Sequence, residues 1–160
     1  MSKNTRFLTH AAVIAALYAV LTHLQNVLLP GSTTWAIQMR LSEALCVLSF
    51  FTPAAIPGLT VGCLVFNITY AAALPLDFLV GSLATLLAAG GMWLTRRVTV
   101  KGYPLVGMAM PALFNALLVG WELTVYIGGG FFLNALYVAL GELAVLLTFG
   151  TVLFYAVKKR

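Results

Sequence analysis

Long apolar stretches, separated by short polar or basic segments, make up most of this chain of 160 residues. Charges, prolines and glycines divide it into six stretches, at residues 7–29, 36–51, 54–74, 76–95, 103–127 and 131–157. Because about 20 apolar residues cross a bilayer as an α-helix, this pattern predicts six transmembrane helices. The second is the weakest of these predictions, since that stretch is short and carries Arg40 and Glu43 near its start.

The composition excludes an ordinary water-soluble domain. Hydrophobic residues make up 62% of the chain and charged residues 8%, whereas a soluble domain has about 25% charged residues. The mean hydropathy is +1.02. Six spans of about 20 residues would leave about 40 residues for tails and loops, too few for a soluble catalytic or nucleic-acid-binding domain. We therefore predict an all-α integral membrane protein with residues 1–160 as a single transmembrane domain.

The basic residues predict an orientation in the membrane. Eight of the nine lie in the N-terminal tail, in the loop at residues 96–101 and in the C-terminal tail. Cytoplasmic loops carry an excess of Lys and Arg. Six spans place all three clusters on one face, whereas five would misplace one terminal cluster. We therefore expect both termini in the cytoplasm, which leaves Arg40 outside with Trp35 and Gln38.

Two acids lie well inside the predicted spans, Glu122 in the fifth and Glu142 in the sixth. An ionisable side chain costs free energy in hydrocarbon, so it usually faces the bundle interior and marks a site. Helical periodicity places further polar residues on the same face as Glu122 or next to Glu142: Asn115, Tyr126, Asn134 and Tyr137. The two stripes match in depth, which predicts one cavity open to the outside. Hydrogen bonds that only hold helices together are the alternative, and Glu142 could simply pair with Asn115.

Charged residues at the starts of two predicted spans allow simple explanations. Arg40 and Glu43, three residues apart, either neutralise each other or line the mouth of the cavity with Gln38, with Trp35 as a stacking lid. For Asp77, at the start of the fourth span, we expect a role as N-terminal cap and partner of the helix dipole.

Small residues form a strip along the first predicted helix: Ala11, Ala12, Ala15, Ala16 and Ala19. Four-residue spacing of small side chains lets another helix approach closely. Internal packing explains the strip about as well as docking of a partner does. Gly58 and Gly62 form a second such pair, for which we expect internal packing.

We find no motif for catalysis or nucleotide binding. His10 and His23 fall on different sides of one predicted helix and make no metal pair. Cys46 and Cys63 lie in apolar stretches, which predicts buried thiols. The sequence thus predicts neither an enzyme nor a cofactor.

Three segments are similar to a known family: Ile-Gln-Met-Arg-Leu-Ser-Glu-Ala-Leu at residues 37–45, Thr-Pro-Ala-Ala-Ile-Pro-Gly-Leu at 52–59 and Gly-Ser-Leu-Ala-Thr-Leu at 81–86. Together with the alanine strip and the six-span pattern, they resemble the QueT family. QueT proteins are substrate-binding S components of energy-coupling factor (ECF) transporters, and the family is assigned to uptake of queuosine precursors.

The resemblance implies a binding subunit of an ATP-driven importer in the plasma membrane of a prokaryote, without catalytic activity of its own. It would bind a 7-deazaguanine base at its outer half. It would dock through Ala12 and Ala16, with Ala11, Ala15 and Ala19 as further candidates, onto a membrane scaffold, the T component, that carries two cytoplasmic ATPases.

The expected ligand chemistry suits the polar residues. A carboxylate accepts the ring N–H and exocyclic amine of such a base as a bidentate pair, and Glu122 is our first choice. A cationic, aminomethyl-bearing precursor would need a second acid, Glu142 or Glu43. The other candidates supply amides for the remaining polar positions and rings for stacking: Asn115, Asn134 and Gln38, and Trp35, Tyr126 and Tyr137.

Three other interpretations stay open at the level of the sequence. The cargo could be another vitamin or cofactor precursor. The chain could be a structural or assembly protein whose acids only brace helices. It could also be a self-sufficient channel or proton-coupled carrier.

Overall fold

A computed structural model describes residues 2–32, 39–70 and 73–159. These residues form helices joined by short turns, with an isolated bridge between Val100 and Tyr103. The helices, in chain order, are α1 (Lys3–Leu28), a 3-10 helix (Leu41–Phe50), α2 (Ala55–Thr69), α3 (Asp77–Thr95), α4 (Leu105–Tyr126), α5 (Phe131–Val145), a π-helical turn (Leu146–Gly150) and α6 (Thr151–Lys158).

In the described part of the chain, four helices are long and apolar enough to cross a membrane. They are α1, α3, α4 and the continuous helix Phe131–Lys158, in which the π-helical turn joins α5 to α6. Many Leu, Val and Phe side chains are exposed on the outside of the protein, where lipid would cover them. The predicted all-α membrane architecture is therefore confirmed, whereas the count of six spans and the cytoplasmic termini stay predictions.

The second and third predicted spans contain the two shorter helices. The 3-10 helix has 10 residues, and at a rise of about 2.0 Å per residue it extends about 20 Å. Helix α2 has 15 residues and reaches a similar length, about 22 Å, at 1.5 Å per residue. Both fall short of the roughly 30 Å hydrocarbon core of a bilayer. Residues 36–38 and 71–72 of these predicted spans lie outside the described residues.

Glycines bring the backbones of α1 and α2 into close contact. A Cβ added to Gly58 would lie 2.7 Å from the carbonyl oxygen of Ala11. A Cβ on Gly62 would lie 2.7 Å from the Ala15 carbonyl oxygen and equally close to the Cβ of Tyr18. These distances are too short for any side chain, so the internal packing expected for the glycine pair is confirmed.

Apolar side chains fill the interior in two clusters. The larger joins α1, the 3-10 helix, α2, the end of α3, the start of α4 and α6, and contains Val47, Leu59, Met92, Met108 and Leu146. The smaller lies between α3, α4 and α5 and is built from Val80, Ala84, Val119, Leu123 and Val138. The buried polar residues described below belong to the same helices.

Candidate binding site

All four acidic residues of the chain are buried. Glu43, Asp77, Glu122 and Glu142 are between 0% and 4% exposed, and Arg40 is buried with them. They come from the 3-10 helix and its N-terminus, α3, α4 and α5. We call these five residues the acid cluster. Burying a charge is costly unless it is paired and hydrogen-bonded, so the partners of each carboxyl group decide what the cluster can do.

Arg40 pairs with Asp77. Its Nη2 lies 3.4 Å from Asp77 Oδ2, which ties the start of the 3-10 helix to the start of α3. The expected capping role of Asp77 is wrong, because Leu76 occupies the N-cap position. Asp77 lies in the first helical turn, where the helix dipole favours a negative charge. Direct pairing of Arg40 with Glu43 is one of two alternatives left open by the sequence; among the described residues, the ion pair of Arg40 is with Asp77.

Asn67 and Gly81 fix the surroundings of this ion pair. Asn67 Nδ2 donates a hydrogen bond to the carbonyl oxygen of Asp77 at 2.8 Å. A Cβ on Gly81 would lie 2.8 Å from Asn67 Nδ2 and 3.2 Å from Asp77 Oδ1, so glycine leaves the space that these groups occupy. The Oδ1 atom of Asn67 is buried and has no hydrogen-bond partner among the described residues.

Glu43 receives two donors from neighbouring side chains. The Tyr18 hydroxyl donates to Oε1, and the Cys46 thiol donates to Oε2 with its Sγ 3.1 Å away. One turn after Tyr18, the hydroxyl of Thr22 donates to Ser42 Oγ at 2.7 Å. The carboxyl of Glu43 is therefore satisfied by the protein, and the bonds from Tyr18 and Thr22 join α1 to the 3-10 helix.

Glu122 has the opposite environment. It is fully buried in α4, yet neither carboxylate oxygen has a hydrogen-bond partner among the described residues. The same holds for Nδ2 of Asn115, two turns earlier on α4, and for Oε2 of Glu142 on α5. Since native proteins satisfy nearly all buried polar atoms, these unpartnered atoms are the ones available to a ligand.

Arg40 lies within electrostatic range of all four carboxyl groups. Besides its contact with Asp77 it interacts with Glu43, with Glu122 and with Glu142. A single positively charged guanidinium therefore lies within electrostatic range of four carboxyl groups. Such a site accepts hydrogen bonds and positive charge.

Gln25 organises the chain next to this site. Its Nε2 donates to Ser32 Oγ at 2.9 Å and to the carbonyl of Met39, and its Oε1 accepts from the Leu41 amide at 2.8 Å. Gln25 thus joins Ser32 to Met39 and Leu41. A cavity of about 350 Å³ opens here, and Met39 and Leu41, the neighbours of Arg40, line it.

A family model described as QueT transporter matches residues 8–159, a range that includes the whole acid cluster. The chain belongs to the QueT transporter family. The family resemblance stated from the sequence is thus confirmed, and a transport protein rather than an enzyme is identified. No curated protein and no solved structure matches the chain.

Four of the ten ligand-binding residues predicted for this QueT protein belong to the acid cluster: Arg40, Glu43, Glu122 and Glu142. A fifth, Asn115, is buried two turns before Glu122 on α4. Trp35 and Gln38 lie outside the described residues.

The other three predicted binding residues lie elsewhere. Asn134 is half-buried and donates to Thr124 Oγ1 and to the Gly128 carbonyl, each at 3.0 Å, so it holds the turn between α4 and α5. Tyr137 is half-buried on α5. Tyr126 is 41% exposed. It shares the face of Glu122 in angle, but as the last residue of α4 it lies at the surface and not in the acid cluster.

The alanines predicted for docking in this QueT protein divide between two faces of α1. Ala11 and Ala15 are half-buried against Gly58 and Gly62 of α2. Ala19 is also buried. Ala12 and Ala16, in contrast, are exposed. A shallow apolar groove of about 270 Å³ runs beside them between α1 and α2.

Four residues at the site were not predicted from the sequence: Tyr18 and Thr22, which bond to Glu43 and to Ser42, and Cys46 and Asn67, which bond to Glu43 and to Asp77. A usable signal was present for the first two, because polar side chains four residues apart in an apolar helix share one face. Asn67 follows Cys63 at the same spacing. These residues lack charge, and the cost of burying them is smaller and easier to overlook.

Proposed function

We propose that this chain is the substrate-binding S component of an ATP-driven ECF importer and that it binds a 7-deazaguanine precursor of queuosine. The observation that carries this proposal is the carboxyl group of Glu122, which is fully buried with both oxygens unpartnered among the described residues. A carboxylate with two free oxygens accepts the ring N–H and the exocyclic amine of the base as parallel hydrogen bonds. Membership of the QueT transporter family supports a transport role for the chain.

We assign the remaining polar positions of such a base to other unpartnered atoms of the described residues. The unpartnered Nδ2 of Asn115 is a donor suited to the ring carbonyl, and Oε2 of Glu142 is a further acceptor. Trp35, Tyr126 and Tyr137 are proposed as stacking residues, with Asn134 and Gln38 as further amides. Arg40 and Glu43, held by Asp77 and Tyr18, are proposed to shape the mouth of the site.

The proposed orientation gives the ligand its entry side. With six spans and both termini in the cytoplasm of a prokaryotic cell, the segment at residues 33–38 and the turn at 128–130 face the outside. The cavity at Gln25 is lined by Ser32, Met39 and Leu41, which precede and follow the first of these segments in the chain. A ligand would therefore reach the acid cluster from outside the cell.

For docking onto the T component and its two ATPases, we propose Ala12 and Ala16. Both are exposed, whereas Ala11 and Ala15 are already packed against the α2 glycines. Close helix–helix contact in membranes depends on small residues at four-residue spacing. The exposed pair meets that requirement without disturbing the internal α1–α2 contact.

Calorimetric titration of the purified chain tests the ligand. We expect a 7-deazaguanine base to bind, guanine to bind more weakly, and common vitamins not to bind. In Glu122→Gln, affinity for the deazaguanine base should fall by at least about tenfold, since hydrogen bonds to a charged group contribute about 1.5–3 kcal/mol. Equal affinity in this variant would contradict the role of Glu122, and tight binding of a vitamin alone would contradict the substrate.

Co-expression tests the transport role. Uptake of the base into cells should require the T component and both ATPases together with this chain. Uptake by the chain alone would identify a self-sufficient carrier. A helix-bracing protein would show neither uptake nor a ligand-dependent rise in melting temperature.

A further inference from the structure

The interior of this protein contains more negative than positive groups. Its four carboxyl groups face a single guanidinium, that of Arg40. The other eight basic residues of the sequence lie at residues 3–6, 96–101 and 158–160, and residues 33–38 and 71–72 contain no charged residue. Among the described residues, Arg40 and Asp77 form the one ion pair, so no second Lys or Arg there pairs with a carboxyl group of the cluster.

The four carboxyl groups differ in how far the protein compensates them. Asp77 has the Arg40 guanidinium, and Glu43 has the Tyr18 and Cys46 donors. Glu122 has no hydrogen-bond partner among the described residues at either oxygen, and Glu142 has none at Oε2. An isolated buried carboxylate is so unfavourable that such a group takes up a proton instead.

The elements that pack against α4 carry several acidic groups and one cation. Helix α4 packs against α3, α5, the 3-10 helix and the π-helical turn. These elements bring Asp77 from α3, Glu142 and Tyr137 from α5, and Arg40, Glu43 and Cys46 from the 3-10 helix and its N-terminus; the π-helical turn has no titratable side chain. Arg40 alone among them is a cation, and its direct ion pair is with Asp77.

We propose that Glu122 holds a proton in the empty protein and releases it when a guest bearing an ammonium group binds. This inference rests on the proposed function, and it narrows the substrate class to cationic, aminomethyl-type bases. The O–H bond of the Glu122 carboxyl breaks, the electron pair stays on the oxygen, and the proton goes to bulk water. The guest enters with its amine already protonated, so the net charge of the site does not change.

Release of the Glu122 proton on binding explains why the ligand must carry a positive charge. Glu122 accepts both donors of the base only when it is ionised. The ammonium group, accepted by Oε2 of Glu142, supplies the positive charge that balances this ionisation. A neutral base brings no charge to balance a carboxylate, so Glu122 keeps its proton, offers one acceptor fewer and binds such a base more weakly.

Calorimetry of the purified full-length chain tests the proposal with two probes, the aminomethyl and the nitrile forms of 7-deazaguanine. Titrations at one pH in buffers of different ionisation enthalpy count released protons. We expect about one proton per aminomethyl base, affinity that rises by about tenfold per pH unit, and at least tenfold weaker binding of the nitrile with no proton release. Glu122→Gln should abolish proton release, whereas Glu142→Gln should keep it but lose the preference for the amine.

Other results would overturn the proposal. An aminomethyl titration that is independent of the buffer, or a nitrile base that binds as tightly as the amine, contradicts proton exchange while leaving the proposed function intact. Proton release retained in Glu122→Gln contradicts the assignment to that residue. If neither base binds the wild-type chain, the proposed function itself fails. The wild-type titrations alone decide the main question, so they do not depend on folding of a variant.

Discussion

Glu43 and Glu122 are both buried glutamates, yet their environments differ. Glu43 accepts hydrogen bonds from Tyr18 and Cys46, whereas Glu122 has no hydrogen-bond partner among the described residues. At the scale of single residues, the sequence indicates that an acid in a span is unusual. It does not reveal which acid is satisfied, because the bond from Tyr18 to Glu43 joins helices that are distant in the chain.

This difference predicts opposite effects of the same substitution. Glu43→Gln should lower the free energy of unfolding by about 1–3 kcal/mol, since two buried donors lose a charged acceptor. Glu122→Gln should be as stable as the wild type or more so, because it removes a carboxyl group without a protein partner. Thermal unfolding of the ligand-free proteins in one detergent compares them. A larger loss in Glu122→Gln would indicate that this residue braces the helices.

Tyr18→Phe tests the bond between α1 and the 3-10 helix. Loss of a hydrogen bond to a charged group should cost about 1.5–3 kcal/mol in the wild type and clearly less in the Glu43→Gln background. A double-mutant cycle measured by thermal unfolding gives the coupling. Equal costs in both backgrounds would show that the hydroxyl acts independently of Glu43.

At the scale of elements, the sequence predicted the Gly58–Gly62 contact correctly. It left open which alanines meet those glycines, because the strip on α1 offers small residues on more than one face. The structure places Ala11 and Ala15 there. The sequence also predicted a helix near residues 41–50 but not its 3-10 form, since periodicity over so short an apolar stretch is ambiguous.

Two glycine-to-alanine variants separate packing from helix propensity. Gly62→Ala should lower the free energy of unfolding by about 1–3 kcal/mol, because its methyl group would overlap Ala15 and Tyr18. Gly90→Ala, in α3 with nothing within 4 Å of the added Cβ, should be neutral or stabilising by up to about 1 kcal/mol. Thermal unfolding measures both, and equal loss in the two variants would contradict the close α1–α2 contact.

At the scale of the whole molecule, the all-α membrane architecture follows from the composition, because lipid requires apolar surfaces and helices satisfy their own backbone groups. The convergence of Arg40 and four acids from four elements does not follow from composition. It depends on how the helices pack, on an ion pair across 37 residues, and on the space left by Gly81.

The two faces of α1 predict a separation of assembly from ligand binding. Ala16→Leu should abolish co-purification with the T component and ATPases, because its side chain blocks close approach, while ligand affinity stays unchanged. Ala144→Leu, the same change at an exposed position of α5, should assemble normally. Pull-down and calorimetry measure the two properties. Normal assembly of Ala16→Leu would exclude this face as the docking surface.

Burial of all four acidic side chains changes the charge of the protein surface. The charged side chains that remain exposed or half-buried in the described part of the chain are all basic, among them Arg97, Lys101 and Lys159. The charge on the described surface is therefore entirely positive, and it exceeds what the formal net charge of +5 implies. Each such side chain attracts anionic lipid headgroups by about 1 kcal/mol. We therefore expect phosphatidylglycerol or cardiolipin to co-purify with this protein.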